Sequence, residues 1–192
     1  MVRINRETKE TSIHLELDMH KGPAVSVNTG LPFFDHMLNA MAFHGGFTLN
    51  VEAKGDIEVD PHHLIEDTGL VLGDALMQCF EETGAVKRYG SSVIPMDDSL
   101  SEVVVDVCRR PYLVLQADWP QESAGNFDFF LIKEFLQALA NRAGLNIHAL
   151  CRYGDNSHHM AEALFKALGR ALFTAYRPAE GKSEGMSTKG II

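Results

Sequence analysis

The sequence predicts an α+β fold made by tandem duplication of one unit: strand, strand, a possible short third strand, helix, strand, helix. One observation is that short β-branched apolar runs alternate with longer segments that have helical apolar spacing. A second is that the two halves of the chain align with each other in three blocks. The blocks pair residues 18–23 with 106–111, 37–49 with 135–147, and 62–76 with 158–172.

In the first half, residues 11–18 and 23–28 have the apolar patterning of two strands, which we expect to form a hairpin. Residues 32–44 have helical spacing and begin with a proline, which the first turn of a helix tolerates. The remaining elements of this half are a strand, a possible short strand and a closing helix that ends near Gly84, over residues 47–53, 55–59 and 62–83.

The second half repeats this order. Residues 101–107 and 111–116 are expected to form a hairpin, and residues 129–143 a helix that ends at Gly144. A strand and a closing helix that stops before Pro178 follow, over residues 145–151 and 158–176.

Length and composition limit the classes of protein. We expect a single domain over residues 1–192, with repeats at about 1–87 and 88–192 and an irregular tail of about 15 residues. A net charge of −9 argues against a nucleic-acid-binding surface, and no apolar run reaches the roughly 20 residues of a membrane span. Three cysteines and the absence of a charged-then-apolar leader favour a cytoplasmic location.

Two adjacent histidines precede a glutamate by four and three residues in each closing helix. Residues four apart share a helix face, whereas neighbours diverge by about 100°. The first histidine and the glutamate can therefore share one ligand, while the second histidine points elsewhere. These clusters are His62, His63 and Glu66, and His158, His159 and Glu162.

The repetition of the cluster favours metal binding over solvent-exposed polar positions, which is the better explanation for a single histidine. His36 and its repeat partner Glu134, on the preceding helices, add one donor each, so eight candidate ligands are available for two ions. Mixed imidazole and carboxylate donors suit Mn, Fe or Zn. The division of the eight ligands between two ions is left open by the sequence.

Several basic residues flank these elements and suit a phosphate monoester. They are Arg88, Arg110, Lys166 and Lys189. Lys166 lies one turn after Glu162 on the same helix face, whereas Arg109 is interpreted as an exposed surface cation. The chain has no phosphate-binding P-loop, dinucleotide-binding glycine motif or nucleophile elbow, so nucleotide cofactors are not indicated.

Nine stretches of the sequence resemble the imidazoleglycerol-phosphate dehydratase family of histidine biosynthesis. They are RETKET (6–11), FFDHML (33–38), HGGF (44–47), VDPHHLIEDTG (59–69), RYG (88–90), PMDD (95–98), RPYLV (110–114), GDNSHHMAEALFKALGRAL (154–172) and STKG (187–190). The resemblance covers essentially the whole chain. It implies a ribosomal protein S5 domain 2-like fold, and a hydro-lyase that dehydrates D-erythro-imidazole glycerol phosphate to imidazole acetol phosphate.

The resemblance also implies two manganese ions per active site and an assembly of twenty-four subunits, with active sites where subunits meet. Glu10 would be the acid/base residue and would also contact the substrate. The implied substrate-phosphate contacts are Arg88, Arg110, Lys166, Ser187 and Lys189. The implied manganese ligands are His36, His62, His63, Glu66, Glu134, His158, His159 and Glu162.

Four residues, at three places in the sequence, depart from the family pattern. Glu134 replaces a histidine found in many relatives, Cys108 and Arg109 replace a smaller Ser-Gly pair, and Met186 replaces a proline. Two alternative functions share the same donors: a dinuclear metallohydrolase that releases inorganic phosphate, and an assembly module in which metal only joins subunits.

Overall fold

Two four-stranded sheets, a short hairpin and four helices form the structure of residues 1–179, the part of the chain that our computed structural model describes. The α+β class is therefore confirmed. The helices are α1 (Pro32–Gly45), α2 (His62–Thr83), α3 (Leu131–Ala143) and α4 (Ser157–Tyr176). The strands are β1 (Val2–Glu7), β2 (Thr11–Asp18), β3 (Val25–Asn28), β4 (Thr48–Gly55), β5 (Tyr89–Met96), β6 (Ser99–Val107), β7 (Tyr112–Gln116), β8 (Ser123–Ala124), β9 (Phe127–Asp128) and β10 (Leu145–Tyr153).

The two large sheets have the same strand order, which is β1-β2-β4-β3 in the first and β5-β6-β10-β7 in the second. Both predicted hairpins are wrong. In each sheet a later strand lies between the two segments, and the last strand in the order runs parallel to it. The reason is long-range: the inner strand is hydrogen-bonded on both edges, and local apolar patterning does not reveal which segment fills the second edge.

The additional strand of each unit is the first one in the chain, β1 in the first half and β5 in the second. The short strand predicted near residues 55–59 is not observed, because the chain forms a turn there after β4. Both β1 and β5 are edge strands, and only Val2 in β1 and Gly90 in β5 are buried. Such strands carry a weak hydrophobic signal, which is why the sequence pattern did not identify them.

The predicted helices are confirmed, with small differences at their ends. Helix α1 begins at Pro32 and ends at Gly45, and the capping residue that follows, Gly46, has a left-handed φ of 81°. Helix α3 starts at Leu131, two residues later than predicted, because the buried Phe129 belongs to the turn that precedes the helix. None of the helices in the described part of the chain combines the length and apolar composition that crossing a bilayer requires.

The helices of the two halves pack against each other: α1 against α4, and α2 against α3. Glycine permits the first contact, because a Cβ at Gly169 of α4 would lie 1.9 Å from the carbonyl oxygen of Met41 in α1. The shared core includes Phe34, Phe135 and Phe165, whose rings stack or meet edge to face. This cross-packing brings residues from both halves together at the candidate site.

Candidate functional site

The first turns of α4 present three polar residues on one face of the helix. Asn156 caps the helix, and its side chain accepts a hydrogen bond from the backbone N–H of His158. Because the residues are spaced four apart, His158, Glu162 and Lys166 lie in one row. The helix therefore delivers an imidazole, a carboxylate and an ammonium group to one side of the molecule.

His36, from α1 in the other half, completes a three-donor group with His158 and Glu162. Its Nε2 lies 3.3 Å from Oε2 of Glu162, and the Nε2 of His158 lies 3.4 Å from the same oxygen. The ligand atoms of all three lie within 4.8 Å of one another. Two imidazole nitrogens and a carboxylate oxygen are donors that suit Mn, Fe or Zn, so the group fits a divalent metal ion.

Lys166 favours the ionised form of Glu162. The Lys166 ammonium lies 2.6 Å from Oε1 of Glu162, and both side chains are nearly buried. Burial opposes ionisation, but the hydrogen bond and positive charge of Lys166, with a contribution from His36, lower the pKa of Glu162 below its ordinary value. Oε1 is thus held by lysine, and Oε2 faces the two imidazoles as a charged donor.

The corresponding group on α2 is looser. The Nε2 of His62 lies 3.4 Å from Oε2 of Glu66, whose side chain is 48% exposed, compared with 12% for Glu162. Glu134 lies in the first turn of α3, the helix that packs against α2. Among residues 1–179, His36, His158 and Glu162 are the only three that are close enough together to form a candidate metal site.

The second histidine of each pair contacts an aspartate. The Nδ1 of His63 lies 3.1 Å from Oδ1 of Asp56, and the Nδ1 of His159 lies 2.5 Å from Oδ1 of Asp98. These hydrogen bonds raise the pKa of His63 and hold the pKa of Asp98 well below its usual range. Sequence reasoning missed both aspartates, although Asp98 belongs to the PMDD stretch.

Glu10 lies beside the first of these pairs. It sits in the turn between β1 and β2, and its Oε2 is 3.9 Å from the Nδ1 of His63. Its side chain is 57% exposed, so it can reach a molecule that binds at the N-terminus of α2. The structure thus places the predicted acid/base residue next to a predicted ligand.

Arg88 and Arg110 lie elsewhere in the second half. Arg88 has a left-handed φ of 72° and forms a two-pronged ion pair with Asp106, with N–O distances of 2.6 and 3.1 Å. The hydrogen bond to Asp106 raises the pKa of Arg88. Arg110 is exposed just before β7. Ser187 and Lys189, both predicted phosphate contacts, lie outside the described residues, as does most of the predicted irregular tail.

Comparisons of the sequence with known proteins all point to the same family. The model of the imidazoleglycerol-phosphate dehydratase family matches residues 29–172. The imidazoleglycerol-phosphate dehydratase of Pelobacter propionicus is 47% identical over 190 residues, which are 98% of this chain and 97% of the relative. The enzyme of the same name from Acetivibrio thermocellus is 46% identical over 189 residues, again 98% of this chain and 97% of the relative.

Solved structures agree with the sequence comparison. The crystal structure of the imidazoleglycerol-phosphate dehydratase of Staphylococcus aureus matches with a TM-score of 0.81 and 38% identity, covering 93% of this chain and all of that one. The crystal structure of the Pyrococcus furiosus enzyme matches with a TM-score of 0.86 and 37% identity, covering 98% of this chain and all of that one. The chain belongs to the imidazoleglycerol-phosphate dehydratase family, and it is a hydro-lyase of histidine biosynthesis.

Proposed function

We propose that this protein dehydrates D-erythro-imidazole glycerol phosphate to imidazole acetol phosphate with two manganese ions per active site. The observation that supports the metal requirement is the group of His36, His158 and Glu162, whose ligand atoms lie within 4.8 Å of one another. His62, His63, Glu66, Glu134 and His159 complete the proposed donor set. When bound, the metal ions would polarise the imidazole ring of the substrate and favour loss of a ring proton.

The chain supplies the remaining chemistry. Dehydration removes a proton from one carbon and a hydroxyl group from its neighbour, and neither leaves readily without help. Glu10 would move a proton at the carbon framework, because its carboxylate is exposed beside His63. Arg88, Arg110, Ser187 and Lys189 would hold the phosphate and so fix the reacting carbon. Lys166 would act on the substrate from beside Glu162.

We also propose that each active site combines residues from neighbouring subunits of a twenty-four-subunit assembly. Arg88 and His159 lie toward opposite ends of the β5–β6 hairpin, since Tyr89 pairs with Asp106 and Met96 with Ser99. The eight residues of β5 span seven steps of about 3.3 Å, so the two ends lie about 23 Å apart, which a three-carbon phosphate ester cannot bridge. If both residues act on one substrate, they come from different chains.

Two further proposals concern organisation. We propose that the chain is one domain of two repeats, which the shared strand order supports. A cytoplasmic location stays a prediction from the sequence.

Light scattering of the purified protein tests the assembly directly: the expected particle has the mass of twenty-four chains of 21.2 kDa. A monomer of full activity contradicts sites shared between subunits.

A product assay tests the reaction. The metal-stripped full-length protein is incubated with imidazole glycerol phosphate, with and without added manganese. We expect imidazole acetol phosphate only with manganese, and no inorganic phosphate. Phosphate release indicates the metallohydrolase instead, and full dehydration by metal-stripped protein contradicts the metal requirement.

A further inference from the structure

We propose that Asp98 and Asp56 are positioning residues that fix the second histidine of each pair for metal binding. Each aspartate accepts a hydrogen bond from Nδ1 of its histidine, which leaves Nε2 as the nitrogen with a free lone pair. The inference rests on the proposed function, because it assumes that His63 and His159 bind metal. It assigns the two aspartates a role outside the set of metal ligands and substrate contacts.

The surroundings of Asp98 decide the direction of its hydrogen bond. Its Oδ2 accepts hydrogen bonds from the backbone N–H groups of Asp155 and Asn156, at 2.6 and 3.0 Å, and from the hydroxyl of Ser99 at 3.0 Å. A carboxylate that receives three donors at one oxygen presents an acceptor at the other. Oδ1, at 2.5 Å from His159, therefore selects the imidazole that carries its proton on Nδ1.

The same contact occurs in the first half from a different position in the chain. Asp56 follows β4 and precedes α2, whereas Asp98 lies in the turn between β5 and β6. Both nevertheless reach Nδ1 of the second histidine, and Asp56 does so with both oxygens, at 3.1 and 3.3 Å. Two aspartates from different positions in the repeat thus make the same hydrogen bond. This indicates that the bond to Nδ1 has a role of its own and does not merely stabilise one loop.

The first histidine of each pair is arranged differently. His62 and His158 turn Nε2 toward the glutamate four residues later on the same helix, at 3.4 Å in both cases. A histidine ligand usually needs an outer partner on its second ring nitrogen to set its tautomer and orientation. The aspartates provide that partner for the second histidine of each pair, and they orient it away from the face that carries the glutamate.

Asp97 provides a matched control in the same turn. Its side chain is 72% exposed, and its Oδ2 lies 3.7 Å from the Nε2 of His159, beyond hydrogen-bonding distance. Its φ of 46° is one that both Asp and Asn tolerate. Asp97→Asn therefore removes one negative charge from the same turn, on the Nε2 side of the His159 ring, and leaves the hydrogen bond to Nδ1 intact.

The test is a manganese titration of the full-length protein, in which electron paramagnetic resonance measures the concentration of free manganese. Asp98→Asn should weaken binding by about 10-fold to 100-fold, and Asp97→Asn, which removes a charge but not the hydrogen bond to Nδ1, should weaken it less than Asp98→Asn does. In a His159→Ala background, Asp98→Asn should cause no further loss, since its effect passes through His159. An equal loss in both backgrounds shows a structural role for Asp98 and overturns the proposal.

Asp56→Asn with His63→Ala repeats the cycle at a site where the aspartate side chain has fewer backbone contacts to lose, so it decides the matter if Asp98→Asn fails to fold. The experiment distinguishes a failure of the proposed function from a failure of the positioning role. Wild-type affinity in both His63→Ala and His159→Ala removes these histidines from the metal site and contradicts the proposed function. Weakened binding in the histidine variants with wild-type affinity in both aspartate variants overturns the positioning role alone.

Discussion

Lys166 and Glu162 form an ion pair one turn apart on α4, with 2.6 Å between Nζ and Oε1. The other carboxylate oxygen faces His36 and His158. A cation on one side and two imidazoles on the other give Glu162 the charge and orientation of a metal ligand. Lys166, predicted as a substrate contact, is therefore also placed to favour the ionised form of this proposed ligand.

Lys166→Met should make manganese binding more sensitive to acid. Lys166 lowers the pKa of Glu162, so its removal raises that pKa, because burial then acts with less opposition. The ionised form is the ligand, and binding should be lost at a higher pH than in the wild type as the pH falls. Manganese titrations across a pH series measure this. Lys133→Met, on the exposed surface of α3, is the control, and an unshifted profile for Lys166→Met contradicts the role.

His36→Ala should lower the manganese content without unfolding the protein. His36 is the donor that α1 contributes, and its side chain is 47% exposed, so truncation leaves no buried cavity. We expect about half of the bound manganese to be lost after gel filtration, because one of two proposed ions loses a ligand. His14→Ala, on the exposed side of β2, is the matched control. Unchanged metal content in His36→Ala removes α1 from the site.

Glu10→Gln should retain manganese and lose turnover. The substitution keeps the size and hydrogen-bonding capacity of the side chain but removes the group that moves a proton, which is worth about 100-fold or more in rate. Steady-state kinetics together with metal analysis separate the two effects. Glu7→Gln, in the same hairpin, is the control. A fully active Glu10→Gln variant leaves the elimination without its assigned acid/base, and it is the result expected of an assembly module.

Arg110→Ala should raise KM much more than it lowers kcat. A phosphate contact binds ground state and transition state alike, so its loss affects substrate binding uniformly. Arg109 offers a neighbouring control, because its guanidinium is paired with Glu81 and lies over the ring of Phe80. If Arg110→Ala and Arg109→Ala have the same KM as the wild type, Arg110 does not contact the phosphate.

Gly169→Ala should destabilise the fold. The added Cβ would lie 1.9 Å from the carbonyl oxygen of Met41, so α1 and α4 must separate. Overpacking of this kind costs about 1–3 kcal/mol, and urea unfolding monitored by circular dichroism measures it. Gly22→Ala is the control, because a Cβ there meets no heavy atom within 4 Å. Equal stability of the two variants contradicts a close α1–α4 contact.

The sequence predicted the helices well, because their signals are local. Pro32 begins α1, Gly144 ends α3, and helical apolar spacing runs between such points. The sheets were predicted less well, since the second neighbour of β2 is not β3 but β4, which follows thirty residues later in the chain. No local pattern specifies that neighbour.

In the candidate site, too, local features could be predicted from the sequence and long-range contacts could not. The spacing of His158 and Glu162 on one helix face followed directly from the sequence, and their contact is observed. That His36 joins them, and not the histidines of its own half, follows from the packing of α1 on α4. Asp98 is separated from His159 by sixty-one residues, so only the folded chain reveals their contact.

The crossed packing of the helices also affects how such a site can arise. His36 belongs to the first half of the chain, and His158 and Glu162 belong to the second, so neither half contains the three donors on its own. A single unit would need to pair with a second copy of itself to bring three such side chains together. Joining two units in one chain makes that encounter independent of concentration, and it leaves each half free to change its own side chains, as Glu134 at the position equivalent to His36 illustrates.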